Sequence, residues 1–173
     1  VSQTLPLTNF TYEMWVKTAA PSGGILNLHD GGSSFDRCLY IMGGQLYVYI
    51  WNGGAWNTNY TINDNKWHHI ALTVQSGIGQ KVYVDGNLVA TYIYDHSDFN
   101  WQTNFTIGYS ATNISYFNGQ IDNVRVWNTV RTQADITNNK NLNAPASTVG
   151  LISNYLFEGN AQITTAGING TLS

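Results

Sequence analysis

Apolar and polar residues alternate with a period of two in one segment of this chain after another. In FTYEMWVK the residues Tyr12, Met14 and Val16 occupy one face, and HHIALTV and QLYVYIW repeat the pattern. Such alternation is typical of β-strands that bury one face. Glycine, asparagine and aspartate, which accept turn geometry, separate the segments, and Asp85-Gly86 between two strand-like runs is the strongest hairpin signal. The pattern predicts an all-β sandwich or barrel.

One segment departs from this pattern. In RTQADITNNKNL, Thr132 is followed three positions later by Asp135, a helix N-cap signature, so we expect one short helix near the C-terminal end. The sequence contains neither an internal repeat nor a linker, which favours a single domain over residues 1–173. We expect that domain to belong to a larger multidomain protein. Residues 150–173 either close this domain or begin a neighbouring one.

Composition excludes some classes of function and favours others. Only 10% of residues are charged and the formal net charge is -3, which argues against nucleic-acid binding because that requires a basic face. No apolar run approaches the roughly 20 residues of a membrane span, so we expect no membrane insertion. Asparagine, threonine, glycine and tyrosine are abundant whereas lysine and glutamate are scarce, which favours a secreted or cell-surface binding protein. Cys38 is the only cysteine, so no internal disulfide can form.

The order of several motifs resembles a known family. FTYEMWVK, NKWHHIALTV, KVYVDGNLVA, FTIGYS, FNGQIDNVRVWN and RTQADI follow one another as in the laminin-G-like and pentraxin-like branch of the concanavalin A-like jelly rolls. The resemblance extends over residues 8–158. It implies an antiparallel sandwich of two curved sheets, one concave and one convex.

The WHH motif at residues 67–69 raises the question of a metal or catalytic site. A zinc site needs three or four converging ligands, and adjacent strand residues point to opposite faces. The other histidines, His29 and His96, lie in separate segments. We therefore expect a structural role, with Trp67 filling the end of the sandwich and one of the two histidines bonded to backbone or to an aspartate.

Catalysis is not expected. Glucanases that share this fold place paired carboxylates on one strand, because acid and nucleophile must face the same sugar bond. The two glutamates, Glu13 and Glu158, are far apart in sequence, and no Glu-x-Asp pair is present. Asp95 and Asp98 are the nearest paired acids, in a polar loop for which a solvated turn is the alternative interpretation.

The family resemblance implies a structural calcium ion. Its candidate ligands are Asp122, Glu158 and the carbonyl of Gly159, all oxygen donors of the kind calcium prefers. The alternative is that Asp122 accepts backbone hydrogen bonds at the start of a strand. A second, weaker candidate is the loop with Asp95, Asp98 and Asn100.

A ligand surface is expected on the strand QLYVYIW. Sugars bind to flat aromatic rings that cover their C–H faces, with about 1 kcal/mol for each ring. If Leu46, Val48 and Ile50 face the core, then the aromatic set faces outward. That candidate platform is Tyr47, Tyr49 and Trp51, extended by Trp56 beyond the turn. The alternative is that the aromatic set forms the core.

Three further residues are candidates for the same surface. Asp36 and Arg37 precede the neighbouring strand and either bond sugar hydroxyls or form a surface ion pair. Trp101 belongs to a second aromatic group in or beside loops. These features favour a non-catalytic module that binds a polysaccharide or glycan. The alternative is a calcium-dependent adhesion module with a protein partner.

Overall fold

Two antiparallel sheets make up most of the chain. The structure, a computed structural model, describes residues 5–111, 115–143 and 145–157. The strands are β1 (Phe10–Lys17), β2 (Ser22–His29), β3 (Phe35–Met42), β4 (Gln45–Ile50), β5 (Gly54–Thr61), β6 (Trp67–Gln75), β7 (Gly79–Val84), β8 (Asn87–Tyr92), β9 (Asn104–Ile107), β10 (Tyr109–Ser110), β11 (Ser115–Tyr116), β12 (Gln120–Trp127) and β13 (Leu151–Tyr155), and the helix is α1 (Gln133–Asn139).

The strand order is that of a jelly-roll sandwich. The six-stranded sheet has the order β13-β12-β1-β6-β7-β8, and the five-stranded sheet has the order β5-β4-β3-β2-β9. The hairpin β10–β11 lies against the five-stranded sheet at Gly24, where a Cβ atom would be 1.9 Å from the Ser110 nitrogen. Only glycine leaves room for this approach. The predicted fold class, a two-sheet antiparallel sandwich with one short helix, is confirmed.

The hydrophobic core lies between the two sheets and follows the alternation in the sequence. Along β4, Leu46, Val48 and Ile50 are fully buried, and along β6 the same holds for Ile70 and Leu72. Fully burying one such side chain contributes about 1.5–3 kcal/mol, so these rows supply much of the folding free energy. They also fix the register of each strand, because a shift by one residue would turn the apolar row toward solvent.

Helix α1 covers the outer face of the six-stranded sheet. Its first turn is a capping box: the Thr132 hydroxyl accepts the Asp135 amide, and the Asp135 carboxylate accepts the Thr132 amide. This confirms the predicted helix and its start. Ile136 packs on Ala71 and Tyr83. Strand β1 is consequently buried on both faces over most of its length.

Two further observations concern the described residues. Cys38 is a buried free thiol, and burial raises its pKa well above the ordinary value. Among these residues no helix combines the length and the apolar character needed to cross a membrane.

Candidate functional site

Strand β4 carries a row of aromatic side chains on the outer face of the five-stranded sheet. Tyr47 and Tyr49 are half-buried there, whereas the aliphatic residues between them are fully buried in the core. Tyr47 stacks on Tyr40 with ring centroids 5.3 Å apart, and Tyr49 packs on Phe35 at 5.0 Å. The orientation expected from the sequence is therefore the one observed. We call Phe35, Tyr40, Tyr47 and Tyr49 the aromatic face.

Trp51, just beyond the end of β4, joins a second aromatic group. Its ring lies 5.5 Å from Phe99 and 5.6 Å from Trp101, and Phe99 and Trp101 are 4.6 Å apart. Phe99 is fully buried, whereas Trp101 is 46% exposed. The structure thus brings together two of the predicted ligand residues, Trp51 and Trp101, although 50 positions separate them. We call these three residues the tryptophan cluster.

Asp36 and Arg37 do not lie at the surface. Both side chains are 0% exposed, and Arg37 Nε donates to Asp36 Oδ2 at 2.6 Å. The expectation that this pair faces a ligand or solvent is wrong. Neither side chain presents an atom to the outside, so any part in binding must be indirect.

The buried pair holds the tryptophan cluster in place. Asp36 Oδ1 accepts the Trp51 backbone amide at 2.6 Å, and Asp36 Oδ2 accepts the Ser97 hydroxyl at 2.6 Å. Arg37 donates to the Phe99 carbonyl and to Gln102 Oε1. The remaining guanidinium N–H groups bond the carbonyls of residues 5 and 6. The Asp36–Arg37 pair, the turn at Trp51 and the loop with Ser97 and Phe99 therefore form one hydrogen-bonded unit. This unit fixes the direction of the aromatic rings.

Trp56 faces the other sheet instead of extending the outer row. It pairs with Val48 across β4 and β5, which places its ring on the core side. The ring stacks on Tyr92 at 5.3 Å, and its Nε1 donates to Gln80 Oε1 at 2.8 Å. Both contacts belong to the six-stranded sheet, so Trp56 links the two sheets. The expectation that it joins the ligand platform is wrong.

The predicted calcium ligands lie only partly within the described residues. Asp122 is half-buried in β12, and its Oδ1 accepts the Asn123 amide at 2.7 Å, the bond expected under the alternative interpretation. Glu158 and Gly159 lie outside the described residues. Within the described ranges, no group of three or more histidine, cysteine, aspartate or glutamate side chains could hold a metal ion. This includes the loop with Asp95 and Asp98.

The WHH motif is tied to the Asp85-Gly86 turn. The His68 ring bonds Asp85 Oδ2 at 2.9 Å and Asp64 Oδ1 at 3.0 Å, and the His69 backbone amide donates to Asp85 Oδ1. The predicted histidine–aspartate bond is thus present. Trp67 differs from expectation, since it is 40% exposed on the outer face of the six-stranded sheet.

Glu13 is enclosed beneath helix α1. It is 1% exposed, with His69 Nε2 3.5 Å and Arg131 Nε 3.8 Å from its carboxylate oxygens, and Arg125 lies 4.0 Å away. Burial lowers the pKa of Arg125, and the Glu13 charge opposes that shift. The enclosure keeps this carboxylate away from any molecule in solvent.

Sequence reasoning missed Phe35, Tyr40 and Phe99. The position of Tyr40 could have been predicted from the sequence, because in RCLYIM it alternates with the core residues Leu39 and Ile41. It pairs with Tyr47 and so lies on the same face as the outward row of β4. No sequence pattern indicates the burial of Phe99, because it results from the loop between β8 and β9 folding back over the Asp36–Arg37 pair.

Replacing Asp36 by asparagine should destabilise the protein strongly. The change leaves the Arg37 cation buried without its counter-charge, which typically costs about 3–5 kcal/mol. Urea unfolding followed by tryptophan fluorescence measures this loss. Asp98→Asn is the control, because that side chain is 53% exposed and its loss should change the unfolding free energy by about 0.5 kcal/mol or less. Equal effects for the two variants would contradict the assigned role.

His68 should stabilise the protein in a pH-dependent way. Burial alone would lower its pKa, but the bonds to Asp85 and Asp64 outweigh burial and raise the pKa above 6.5. Carboxylates only accept, so both bonds form together only when the ring carries two protons. The stabilisation is therefore full below the unfolded pKa and is lost as pH rises through the higher folded pKa.

Comparing the native protein with His68→Gln tests this sign. The difference in unfolding free energy should be larger at about pH 5.5 than at about pH 9, and NMR titration should give a His68 pKa above that of an unfolded peptide. A difference that grows with pH would contradict the assignment.

Solved structures similar to this chain share the sandwich. A proposed carbohydrate-binding protein from Bacteroides ovatus is 25% identical, with a TM-score of 0.72 over 89% of this chain and 46% of that protein, so the chain spans less than half of it. Domain 4 of AbnA, an extracellular GH43 arabinanase from Geobacillus stearothermophilus solved with arabinotriose, is 16% identical, with a TM-score of 0.59 over 78% of this chain and 67% of that one. A heptameric SAP-like pentraxin from Limulus polyphemus is 15% identical, with a TM-score of 0.60 over 87% and 79%.

No curated protein matches the chain. A laminin-G family model, described as Concanavalin A-like lectin/glucanases superfamily, matches residues 1–137. That range is well over half of the sequence and includes β1 to β12, the aromatic face and the tryptophan cluster. The chain therefore belongs to the concanavalin A-like lectin/glucanase superfamily.

Proposed function

We propose that this chain is a non-catalytic carbohydrate-binding module of a secreted or cell-surface protein, which binds a polysaccharide or glycan on the aromatic face and the tryptophan cluster. The observation that carries the proposal is the direction of these rings. Tyr47, Tyr49, Trp51 and Trp101 are packed against neighbours on one side but keep part of their surface open to solvent. Rings held in this way can stack on pyranose or furanose C–H faces without first losing side-chain freedom.

Polar groups beside these rings supply hydrogen bonds to hydroxyls. Asn57 and Gln45 flank Tyr47 on the same face and bond each other at 2.8 Å. Asn52 follows Trp51 and donates to Asp98 Oδ2 at 2.7 Å. Amides and carboxylates that are already oriented by one such bond retain lone pairs or N–H groups for a ligand. The arrangement suits a neutral sugar better than a charged ligand.

The comparisons support the class of ligand. The Bacteroides ovatus structure is of a proposed carbohydrate-binding protein, and the AbnA domain was solved with arabinotriose. The position of Glu13 supports a non-catalytic function. Glycosidases need two carboxylates, one on either side of a sugar bond, and the Glu13 carboxylate is enclosed in the protein. The low charge and amide-rich composition support an extracellular location.

Replacing Trp101 by alanine should weaken glycan binding without unfolding the protein. Loss of one stacking ring, about 1 kcal/mol, should raise Kd about fivefold. Affinity gel electrophoresis against arabinan, xylan, mannan and mixed-linkage glucan measures retardation, and thermal melting checks the fold. Leu88→Ala is the control, because Leu88 is also 46% exposed but lies on the other sheet.

Two outcomes would count against this function. Folded native protein that none of these polysaccharides retards would contradict it. Retention unchanged in both Trp101→Ala and Tyr49→Ala would show that the sugar binds elsewhere. Capture of a partner protein that a chelator abolishes, without any glycan retention, would favour the calcium-dependent adhesion function.

We propose, in addition, that Asp122 holds a structural calcium ion together with Glu158 and the Gly159 carbonyl. The oxygen atoms at Asp122 and Asn123 suit a hard cation. Asp122 Oδ2 accepts no hydrogen bond from the described residues, and Asn123 Oδ1 is buried and accepts none. Calcium favours such carboxylate and amide oxygens. The ion would hold the strands near the C-terminal end and would not contact the aromatic face or the tryptophan cluster.

The calcium proposal predicts a shift in thermal stability. Because the ion would bind only the folded chain, millimolar calcium should raise the melting temperature relative to EDTA, and Asp122→Ala should remove the difference. Magnesium, which prefers a smaller octahedral site, is the matched control and should have a weaker effect. An equal melting temperature in calcium and EDTA would contradict the site.

A further inference from the structure

A groove lies on the outer face of the six-stranded sheet, at the margin of helix α1. It has a volume of about 380 Å³, and its walls are Trp15, Trp67, Asp122, Asn123, Lys140 and Asn141. Trp15 of β1 pairs with Asp122 of β12 on one side and with His69 of β6 on the other, so these side chains share the outer face. Trp67 lies two positions before His69 in β6 and therefore points to the same face. The groove therefore lies on the side of the sandwich away from the aromatic face.

The aromatic part of the groove is rigid on one side and open on the other. Trp15 is held in place: its Nε1 donates to the Lys140 carbonyl at 2.8 Å, and its ring packs on His69 at 5.4 Å. Trp67 is 40% exposed although it stands at the start of a well-formed strand. A large apolar ring left open beside a fixed one offers a stacking surface of the size that one sugar ring covers.

The polar part of the groove offers both donors and acceptors. The Lys140 ammonium lies 5.7 Å from the centre of the Trp15 ring and forms no ion pair with the described residues. The Asp122 carboxylate has only Oδ1 engaged, by the Asn123 amide. Asn141 is exposed and adds an amide. Ammonium groups only donate and carboxylates only accept, so a ligand that suits both must donate and accept at neighbouring positions, as sugar hydroxyls do.

We propose that this groove is a second carbohydrate subsite, in which Trp67 stacks on a neutral sugar ring and Lys140, Asn141 and Asp122 bond its hydroxyls. The subsite takes its class of ligand from the proposed function, but it uses none of the residues of the aromatic face or the tryptophan cluster. Stacking on a single ring contributes only a small part of a binding free energy, so binding at this groove alone is weak. A measurement that reports each tryptophan separately is therefore required.

NMR of the tryptophan indole N–H groups provides that measurement. The chain has six tryptophans, and Trp67→Ala and Trp101→Ala each remove one signal and so assign it. Native protein in EDTA, which keeps calcium away from Asp122, is titrated with arabinotriose, xylotetraose, mannotetraose and cellotetraose. We expect the Trp67 signal to shift saturably with at least one of these sugars, and to do so equally in the Trp101→Ala variant.

The outcomes separate this subsite from the proposed function. A shift of the Trp101 signal with no shift of Trp67 would overturn the second subsite and leave the proposed function standing. A shift of Trp67 alone would support the subsite and contradict the first surface. No shift of either signal with any of the four sugars would contradict both.

A second variant tests whether the groove itself binds the sugar. Asn141→Ala should raise the Kd of the Trp67 titration about three- to tenfold, the value of one or two hydrogen bonds, and leave the Trp101 titration unchanged. Asn138→Ala is the matched control, because Asn138 is an exposed asparagine of α1 outside the groove. Equal Kd values in the two variants and the native protein would overturn the assignment.

Discussion

The buried ion pair of Asp36 and Arg37 determines the geometry on which the candidate surface depends. A buried charge pair is costly unless its remaining hydrogen-bonding capacity is used. Here all five N–H groups of the guanidinium have acceptors: Asp36, the Leu5 and Pro6 carbonyls, the Phe99 carbonyl and Gln102. The pair is consequently satisfied in only one arrangement of strand β3, the preceding N-terminal residues and the loop before β9. That arrangement sets where Trp51 and Trp101 point.

The same network explains how the proposed binding surface can be built partly on loops. Loops are usually mobile, and rigid sites are normally placed on strands. In this protein the loop carrying Ser97 and Phe99 is tied to strand β3 through Asp36 and Arg37. The rings of the tryptophan cluster then pack against each other above a satisfied polar centre. These rings therefore gain strand-like order although Trp51 lies in a turn and Phe99 and Trp101 lie in a loop.

The sequence predicted the features that depend on local pattern. The period-two alternation of β4 correctly placed Leu46 and Val48 inward, because any other register would expose the apolar row. The capping box of Thr132 and Asp135 depends on a spacing of three residues within one turn, and it too was readable. The same holds for the histidine–aspartate bond at WHH, which the family resemblance implied. These are contacts within an element or between neighbouring strands.

The features that it missed depend on contacts that local pattern does not contain. The burial of Arg37 depends on Phe99 and Gln102, which are more than 60 positions away. The direction of Trp56 depends on the length of the turn after β4, which pairs Ile50 with Gly54 and so places Trp56 opposite Val48 on the core side. One residue more or fewer in that turn would direct the Trp56 side chain to the outer face instead.

The two sheets differ in what covers their outer faces, and this limits where a ligand can bind. Helix α1 and the enclosed Glu13, His69 and Arg125 occupy much of the outer face of the six-stranded sheet, and the groove with Trp15 and Trp67 lies at the margin of the helix. On the five-stranded sheet, Tyr47 and Tyr49 of the aromatic face stay partly exposed beside the β10–β11 hairpin. If both proposed surfaces bind glycan, they cannot both bind a short segment of the same straight chain, because they lie on opposite sides of one domain. Their avidity would instead come from joining two chains, or two parts of a folded-back chain, since linked binding events gain effective concentration only when the geometry allows both at once.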